Sequence, residues 1–395
     1  MLFCDDFFNV VTWEQRKLKD TANFAKGIGY SKKDLKSSGI PIILYGRLYT
    51  KYETVINEID TFTQPKKDTF LSKGGEIIVP ASGETAEDIS VASVVKNKGI
   101  ILGGDLNIVY PNSSLNSVFL ALNITYGRAH DEMRRRAQGK TIVHLHNSDL
   151  ANIKLKIPTI SEQKKIVYLL EKINKLIALQ QRKLNKLKSL RKGIKELTLP
   201  KNLKSPSASF ENTGKIFRFS DLFKRSSEKN DGSFSKDKVI SVANMRWGTA
   251  PKNSSDDYMK TYFILRKGDI AFEGNRSKNY SFGRFVANDL EDGIVSHVFI
   301  VYRPKKELNL NYLKYYINDE QVMRTPLRMS TSRTTMMTNL VQKDIVKQKL
   351  LLPSIQEQNK LGELYKKVDA LIQMNQLKLN RLNQLKQFLL QKLFV

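Results

Sequence analysis

Ile157-Pro158-Thr159-Ile160-Ser161-Glu162-Gln163 and Leu352-Pro353-Ser354-Ile355-Gln356-Glu357-Gln358 are one phrase written twice, 195 residues apart. The residues after each copy repeat as well. Ile166, Leu170, Ile173, Ile177, Leu184, Leu187 and Ile194 fall on Leu361, Tyr365, Val368, Ile372, Leu379, Leu382 and Leu389 at that same offset. The steps alternate between four and three residues, the period of a coiled-coil seam. Gln180 and Asn375 interrupt both seams at the same place, where a buried amide fixes register at some cost in stability. Arg191 and Lys386 also correspond. Pro158 and Pro353 end the preceding extended segments, and Thr159 and Ser354 are N-cap residues. Glu162 and Glu357, three positions on, predict a capping box at each start. The first helix ends near Pro200, which a continuing helix cannot accommodate, and the second runs almost to Val395.

Each helix follows a globular segment of mixed character. β-rich runs in the first are Ile40–Tyr45, Glu76–Val79, Gly99–Leu102 and Leu106–Tyr110. Those in the second are Lys238–Val242, Gly268–Phe272, Gly283–Val286 and His297–Tyr302. Lys73-Gly74-Gly75-Glu76-Ile77 pairs with Arg266-Lys267-Gly268-Asp269-Ile270, and Asn116–Asn123 and Asn309–Tyr316 predict a short helix after the last long strand. The expected order is a first globular module over 1–152, a helical region over 153–200 and a linker over 201–214. A second module over 215–349 and a C-terminal helical region over 350–395 follow. The fold class is α+β: two mixed α/β modules separated by a long antiparallel two-helix coiled coil, related as a pseudo-twofold internal repeat.

Composition narrows the partners. Lys and Arg total 66 against 39 Asp and Glu, a net charge of +27, which favours a polyanion through counterion release. With 41% hydrophobic residues the chain buries real cores and is not a disordered protein. Cys4 is the single cysteine, so neither an internal disulfide nor a cysteine-based zinc site is available. Met1 to Val11 lacks a basic n-region, and no apolar run nears the roughly 20 residues of a membrane span. A cytoplasmic location follows as the expectation.

Phosphate contacts position a protein on DNA, and base-edge contacts specify sequence. In the first module the richest basic cluster is Arg128, Arg134, Arg135, Arg136 and Lys140 with Gln138. Arg suits guanine and Gln suits adenine in bidentate geometry. Tyr45, Arg47, Tyr49 and Lys51 form a second basic-aromatic stretch. The second module offers Arg324, Arg328, Ser332 and Arg333, then Arg246-Trp247 and Asn275-Arg276-Ser277-Lys278. At the 195-residue offset Arg136 falls on Thr331 and Gln138 on Arg333, which sets these tails apart from scattered surface charge. The basic run from Lys164 to Lys195 lies off the apolar seam, facing either DNA phosphates or partner helices.

No catalytic motif stands out. The glycine-rich cofactor loop and the Asn/Asp-Pro-Pro-aromatic segment of a standalone methyltransferase are missing. Gly139-Lys140-Thr141 lacks the upstream glycine of a phosphate-binding loop, since Arg134 sits there. His144 and His146 share one face of a strand without a convincing third metal ligand. Asp269 and Glu273 with Lys278 lack nuclease spacing and belong to a turn and a strand end.

Trp13-Glu14-Gln15-Arg16-Lys17-Leu18, Gly39-Ile40-Pro41-Ile42, Lys267-Gly268-Asp269-Ile270 and both Pro-x-Ile-x-Glu-Gln phrases carry a resemblance. In that order, and duplicated, they resemble the DNA-specificity subunit of type I restriction–modification systems over nearly the whole chain. The second module departs from the pattern, with Phe219-Ser220-Asp221-Leu222-Phe223 where Trp-Glu-Gln-Arg stands in the first. The resemblance implies a non-catalytic subunit that reads a bipartite double-stranded DNA target, one half per module. It implies two methyltransferase subunits and restriction subunits as partners, which supply S-adenosylmethionine, ATP and Mg chemistry. No cofactor is expected in this chain. Other classes remain: the specificity component of a related phage-defence methylation system, a single-chain DNA methyltransferase or nuclease, and a coiled-coil scaffold.

Overall fold

A computed structural model describes residues 13–139, 142–200, 214–252, 254–333 and 337–394. Cys4, Lys140 and nearly all of the expected linker lie outside these residues. The chain divides into two compact units. One is built by the chain up to Gln180 together with Lys378 onward, the other by Gln181–Leu377. Both division points fall inside long helices, so each unit owns parts of both.

The helices are Ile160–Thr198 and Ile355–Leu393, each of 39 residues and offset by the same 195 positions as the sequence repeat. At 1.5 Å per residue each is roughly 60 Å long. Every predicted seam position is buried or half-buried, while the residues between them are mostly exposed. In the first unit Val167 and Leu170, near the start of one helix, share a core with Leu390 near the end of the other and with Phe394 just past it. In the second unit Ile194 and Leu199 share a core with Leu361 and Tyr365. Start meets end in both, which is antiparallel pairing. Asn375 is buried in the seam and donates Nδ2–H to the Leu371 carbonyl at 2.7 Å.

The helix starts depart in one detail from the expected capping box. The Glu162 N–H donates to Thr159 Oγ1 at 3.4 Å and the Glu357 N–H to Ser354 Oγ at 3.3 Å. The acid side chains do not return the bond among the described residues; they pair forward with Lys165 at 2.6 Å and Lys360 at 3.6 Å. An ammonium one turn along competes with the N-cap amide for each carboxylate.

The glutamine of the repeated phrase does more than the sequence suggests. Gln163 is fully buried, accepts the Asn116 N–H at 2.8 Å and donates to the carbonyls of Pro158 at 2.9 Å and Ser114 at 3.0 Å. Gln358 accepts the Asn309 N–H at 3.2 Å and donates to the Pro353 carbonyl at 3.0 Å. Asn116 and Asn309 in turn cap the short helices Ser117–Tyr126 and Leu310–Tyr316. One amide thereby ties each long helix to the globular body before it.

The first body holds a five-stranded sheet in the order Ala22–Lys26, Leu106–Pro111, Ile77–Pro80, Ser93–Val95, Val55–Ile56. Beside it, Ile40–Ile43 pairs with Phe62–Thr63 and, in parallel, with Ile101–Leu102. The second body holds a four-stranded sheet in the order Phe223–Ser226, Ile300–Pro304, Ile270–Glu273, Arg284–Ala287. Two framing pairs close the bodies: Glu14–Lys17 on Lys154–Ile157, and Lys215–Arg218 on Lys349–Leu352. The expected strand at Lys238–Val242 shortens to Ile240–Ser241, because the chain turns back to pair Arg246–Trp247.

Candidate nucleic-acid interface

In the first unit, Arg128–Arg136 forms a helix that begins at Gly127. A side chain there would sit 2.6 Å from the Asn123 carbonyl and 2.7 Å from that of Phe394, so glycine alone fits. Ala129 and Met133 are buried and set the inner face, leaving Arg128, Arg134 and Arg135 outward. These cations differ. Arg134 is paired with Glu87 and lies 3.7 Å from Asp131, while Arg136 is held by Glu132 at 2.8 Å. Arg128 and Arg135 have no ion pair among the described residues, and both line two adjoining clefts. One, of about 500 Å³, is completed by Ala86, Asp131 and Arg134. The other, of about 180 Å³, adds among others Trp13, Gln15, Lys154 and Lys156.

Tyr45 and Tyr49 sit with ring centres 6.3 Å apart. Arg47 is held differently from a surface reader: its side chain is 9% exposed and bonds Glu53 at 2.7 Å, Asp60 at 2.6 Å and the Glu58 carbonyl at 2.9 Å. Lys51 bonds Asp60 at 2.7 Å, and the two cations bring that carboxyl down to about 2, Lys51 most strongly. Burial, with Tyr45, Asp88 and Glu84 nearby, raises the Tyr49 phenol, so it stays a neutral hydrogen-bond donor.

Gln138 and His144 exchange both backbone bonds, at 3.1 and 2.8 Å, and close a hairpin. Gly139 at its turn has φ of +134°, and a Cβ there would fall 1.9 Å from the Ile142 carbonyl. The hairpin strand Val143–His144 is pinned to Ser82–Gly83. His144 and His146 are both exposed. Among the described residues no group of three or more potential metal ligands forms.

The second unit gathers its sequence candidates more tightly. Thr331–Arg333 pairs with Thr338–Leu340 as a hairpin, and Thr338 donates through its N–H and its hydroxyl to the Gly274 carbonyl at 2.9 and 2.8 Å. Gly274 is required, because a Cβ would meet the Thr338 carbonyl at 2.3 Å. Asn275 bridges Met337, which sets the exposed Asn275-Arg276-Ser277-Lys278 turn beside exposed Ser332 and Arg333. Arg284 stacks on the Tyr280 ring at 4.8 Å, bonds Glu273 at 2.6 Å and reaches the Ala243 carbonyl at 2.8 Å. That last bond draws in the Arg246–Trp247 strand, whose Trp247 ring lies under the Lys238 ammonium at 4.7 Å. Arg324 and Arg328 are exposed on the helix Glu320–Arg328. Asp269 and Glu273 are structural: Asp269 takes the Arg266 N–H at 3.0 Å and Arg303 at 3.1 Å.

Several surface groups escaped the sequence reading. Lys154 and Lys156 alternate with buried Leu155 and Ile157, a pattern that marks an outward pair. Asn339 falls on His144 at the 195-residue offset, so the repeat itself could have nominated both.

The long helices carry a second apolar set off the seam. In the first unit Leu176, Leu179 and Leu385 are exposed; in the second their repeat equivalents Leu371, Met374 and Leu190 are exposed too. Each unit therefore presents the same apolar triplet to its surroundings.

Comparison with known proteins agrees with this architecture. Residues 10–189 and 212–385 each match the type I restriction modification DNA specificity domain family. The chain belongs to that family, and it is a DNA-recognition subunit rather than an enzyme. Among solved structures it is similar to the S subunit of a type I restriction-modification system from M. genitalium, at 16% identity and a TM-score of 0.56, covering 98% of this chain and 97% of that one. It is also similar to the HsdS subunit from Thermoanaerobacter tengcongensis, at 14% identity and a TM-score of 0.54, covering 97% and 96%. No helix among the described residues is long and apolar enough to cross a membrane.

Proposed function

We propose that each unit reads one half of a split double-stranded DNA target and that the chain delivers two methyltransferase subunits, and through them restriction subunits, to that site. The observation that carries this reading is the pair of hairpins at equivalent positions, Gln138–His144 and Thr331–Leu340. Each projects polar side chains from an otherwise duplicated frame. Like frames with unlike outward side chains suit two readers of two different sequences. In the first unit Arg128 and Arg135, with Lys154 and Lys156, supply phosphate contacts. In the second, Arg276, Lys278, Arg328 and Arg333 do so, with Ser332 and Asn275 at base edges. The expected module boundaries, 1–152 and 215–349, are the segments whose exchange swaps one half-site.

The matched apolar triplets support two copies of one kind of partner, since equivalent faces select equivalent occupants. Adenine methylation with S-adenosylmethionine and cleavage driven by ATP and Mg belong to those partners. Helices of 39 residues, roughly 60 Å, suit half-sites about one DNA turn or more apart, with unread base pairs between. With cellular DNA as the target, the cytoplasm is the compartment that suits this role. Selection from a random duplex library tests the proposal. The expected product is two short fixed sequences around a fixed number of random positions. One continuous motif, or none, overturns it.

A further inference from the structure

The hairpins differ in almost every residue, yet one position keeps its character in both. Ile142 is 56% exposed and Met337, 195 residues later, is 36% exposed. Each stands immediately before a strand, Val143–His144 in one unit and Thr338–Leu340 in the other, and burial alternates identically in the two units. Ile142 and His144 face out while Val143 and Leu145 are buried; Met337 and Asn339 face out while Thr338 and Leu340 are buried. A single exposed apolar residue is ordinary on any surface. Two at the same repeat position, each in a row with a hydrogen-bonding side chain two residues on, are not explained by chance exposure. The inward neighbours Val143, Leu145, Thr338 and Leu340 already close the core beneath, and Gly274, where a Cβ would meet the Thr338 carbonyl at 2.3 Å, fixes the second hairpin against its frame.

The row has a chemical match. A two-stranded ribbon fits the major groove, where base edges offer donors and acceptors and where the only apolar group is the C5 methyl of thymine. Polar neighbours address the former, and an outward Ile or Met addresses the latter. Spacing agrees, since residues two apart on a strand are about 6.8 Å apart and two base-pair steps are about the same. We propose that Ile142 and Met337 each pack on the C5 methyl of one thymine, one in each half of the target, and so set specificity there. This rests on the reading of the chain as a two-part DNA reader.

The test uses the full chain and the duplex recovered by the selection above. Each thymine in turn is replaced by deoxyuridine, which removes only the methyl. Binding is expected to weaken about fourfold at one position in each half-site, the effect of one buried methyl group. Ile142→Ala is expected to abolish the thymine preference in the first unit's half-site and leave the other untouched; Met337→Ala does the converse. Both side chains are exposed, so the variants fold, and Ile142→Val keeps part of the preference. A half-site without thymine, insensitivity to every deoxyuridine, or a preference that survives Ile142→Ala overturns the proposal while leaving DNA reading intact. Failure to recover any sequence sinks both.

Discussion

Gln163 Oε1 accepts the backbone N–H of Asn116 at 2.8 Å, joining the first turn of a long helix to the N-cap of a short one 47 residues earlier in the chain. The same side chain donates to Pro158 and Ser114, so its replacement strands one donor and two acceptors away from water. Each unmade bond of this kind costs about 1 kcal/mol or more. Gln163→Leu is expected to destabilise the first unit by about 2–3 kcal/mol, read as a lower urea midpoint. Gln358→Leu, which breaks one bond fewer, costs less. Equal midpoints for both variants and the parent would mean that the amide is a bystander.

The second unit is sensitive to pH through a buried pair. Asp269 is almost fully buried, and burial holds its carboxyl above the ordinary value of 3.8 despite Arg303, whose guanidinium is 3.1 Å away. A raised folded value means full stability below pH 3.8 and loss as pH climbs through the folded value. Arg303→Leu removes the strongest opposing influence and pushes that value higher still. It also takes a cation from Glu228, whose carboxyl Arg266 and then Arg303 hold below 4.5, so that contribution too is missing once pH exceeds this. Both signs agree: the variant's deficit is small near pH 4 and grows to about 3 kcal/mol at pH 7. Urea melts at the two pH values decide it, and a deficit constant with pH contradicts the pairing.

Among the arginines of the first unit, ion pairing sorts the free from the occupied. Arg128→Ala with Arg135→Ala is expected to weaken DNA binding and to reduce the slope of log K against log salt by about 2, one unit for each phosphate left without its cation. Arg134→Ala with Arg136→Ala acts less, because Glu87 and Glu132 already neutralise those charges. Titrations at several salt concentrations give both slopes. A larger effect from the second pair would place the DNA on the other side of this helix.

The helices were legible because their signal is periodic and local: seam, cap, proline and offset all point the same way. The offset of 195 survives as two 39-residue helices with matching ends. The role of Gln163 was not legible, although the residue stands in the repeated phrase, because its partner lies 47 positions away. Charge density misled at Arg47, where Glu53 and Asp60 follow at distances that no helical or strand period relates. A basic cluster in sequence says how much charge is present, not how much is spent internally. In the second unit Asn275 and Ser332 are separate candidates in sequence, and only the Asn275–Met337 bridge makes them one surface.

The apolar triplets make a stoichiometric prediction. Leu176 is 52% exposed and Leu371 is 42% exposed, so Glu at either position removes no core packing and leaves the helix intact. If each triplet seats one methyltransferase subunit, Leu176→Glu leaves a complex with one such subunit and Leu371→Glu does the same from the other side. The double variant binds none while its circular dichroism and urea midpoint match the parent. Native mass measurement of the purified mixtures distinguishes the species directly. The decisive comparison is between the two single variants, because equivalence under the internal repeat requires that they fail alike. Loss of both subunits on Leu176→Glu alone would mean that the partners bind as a preformed pair, and the two faces would then not be independent seats.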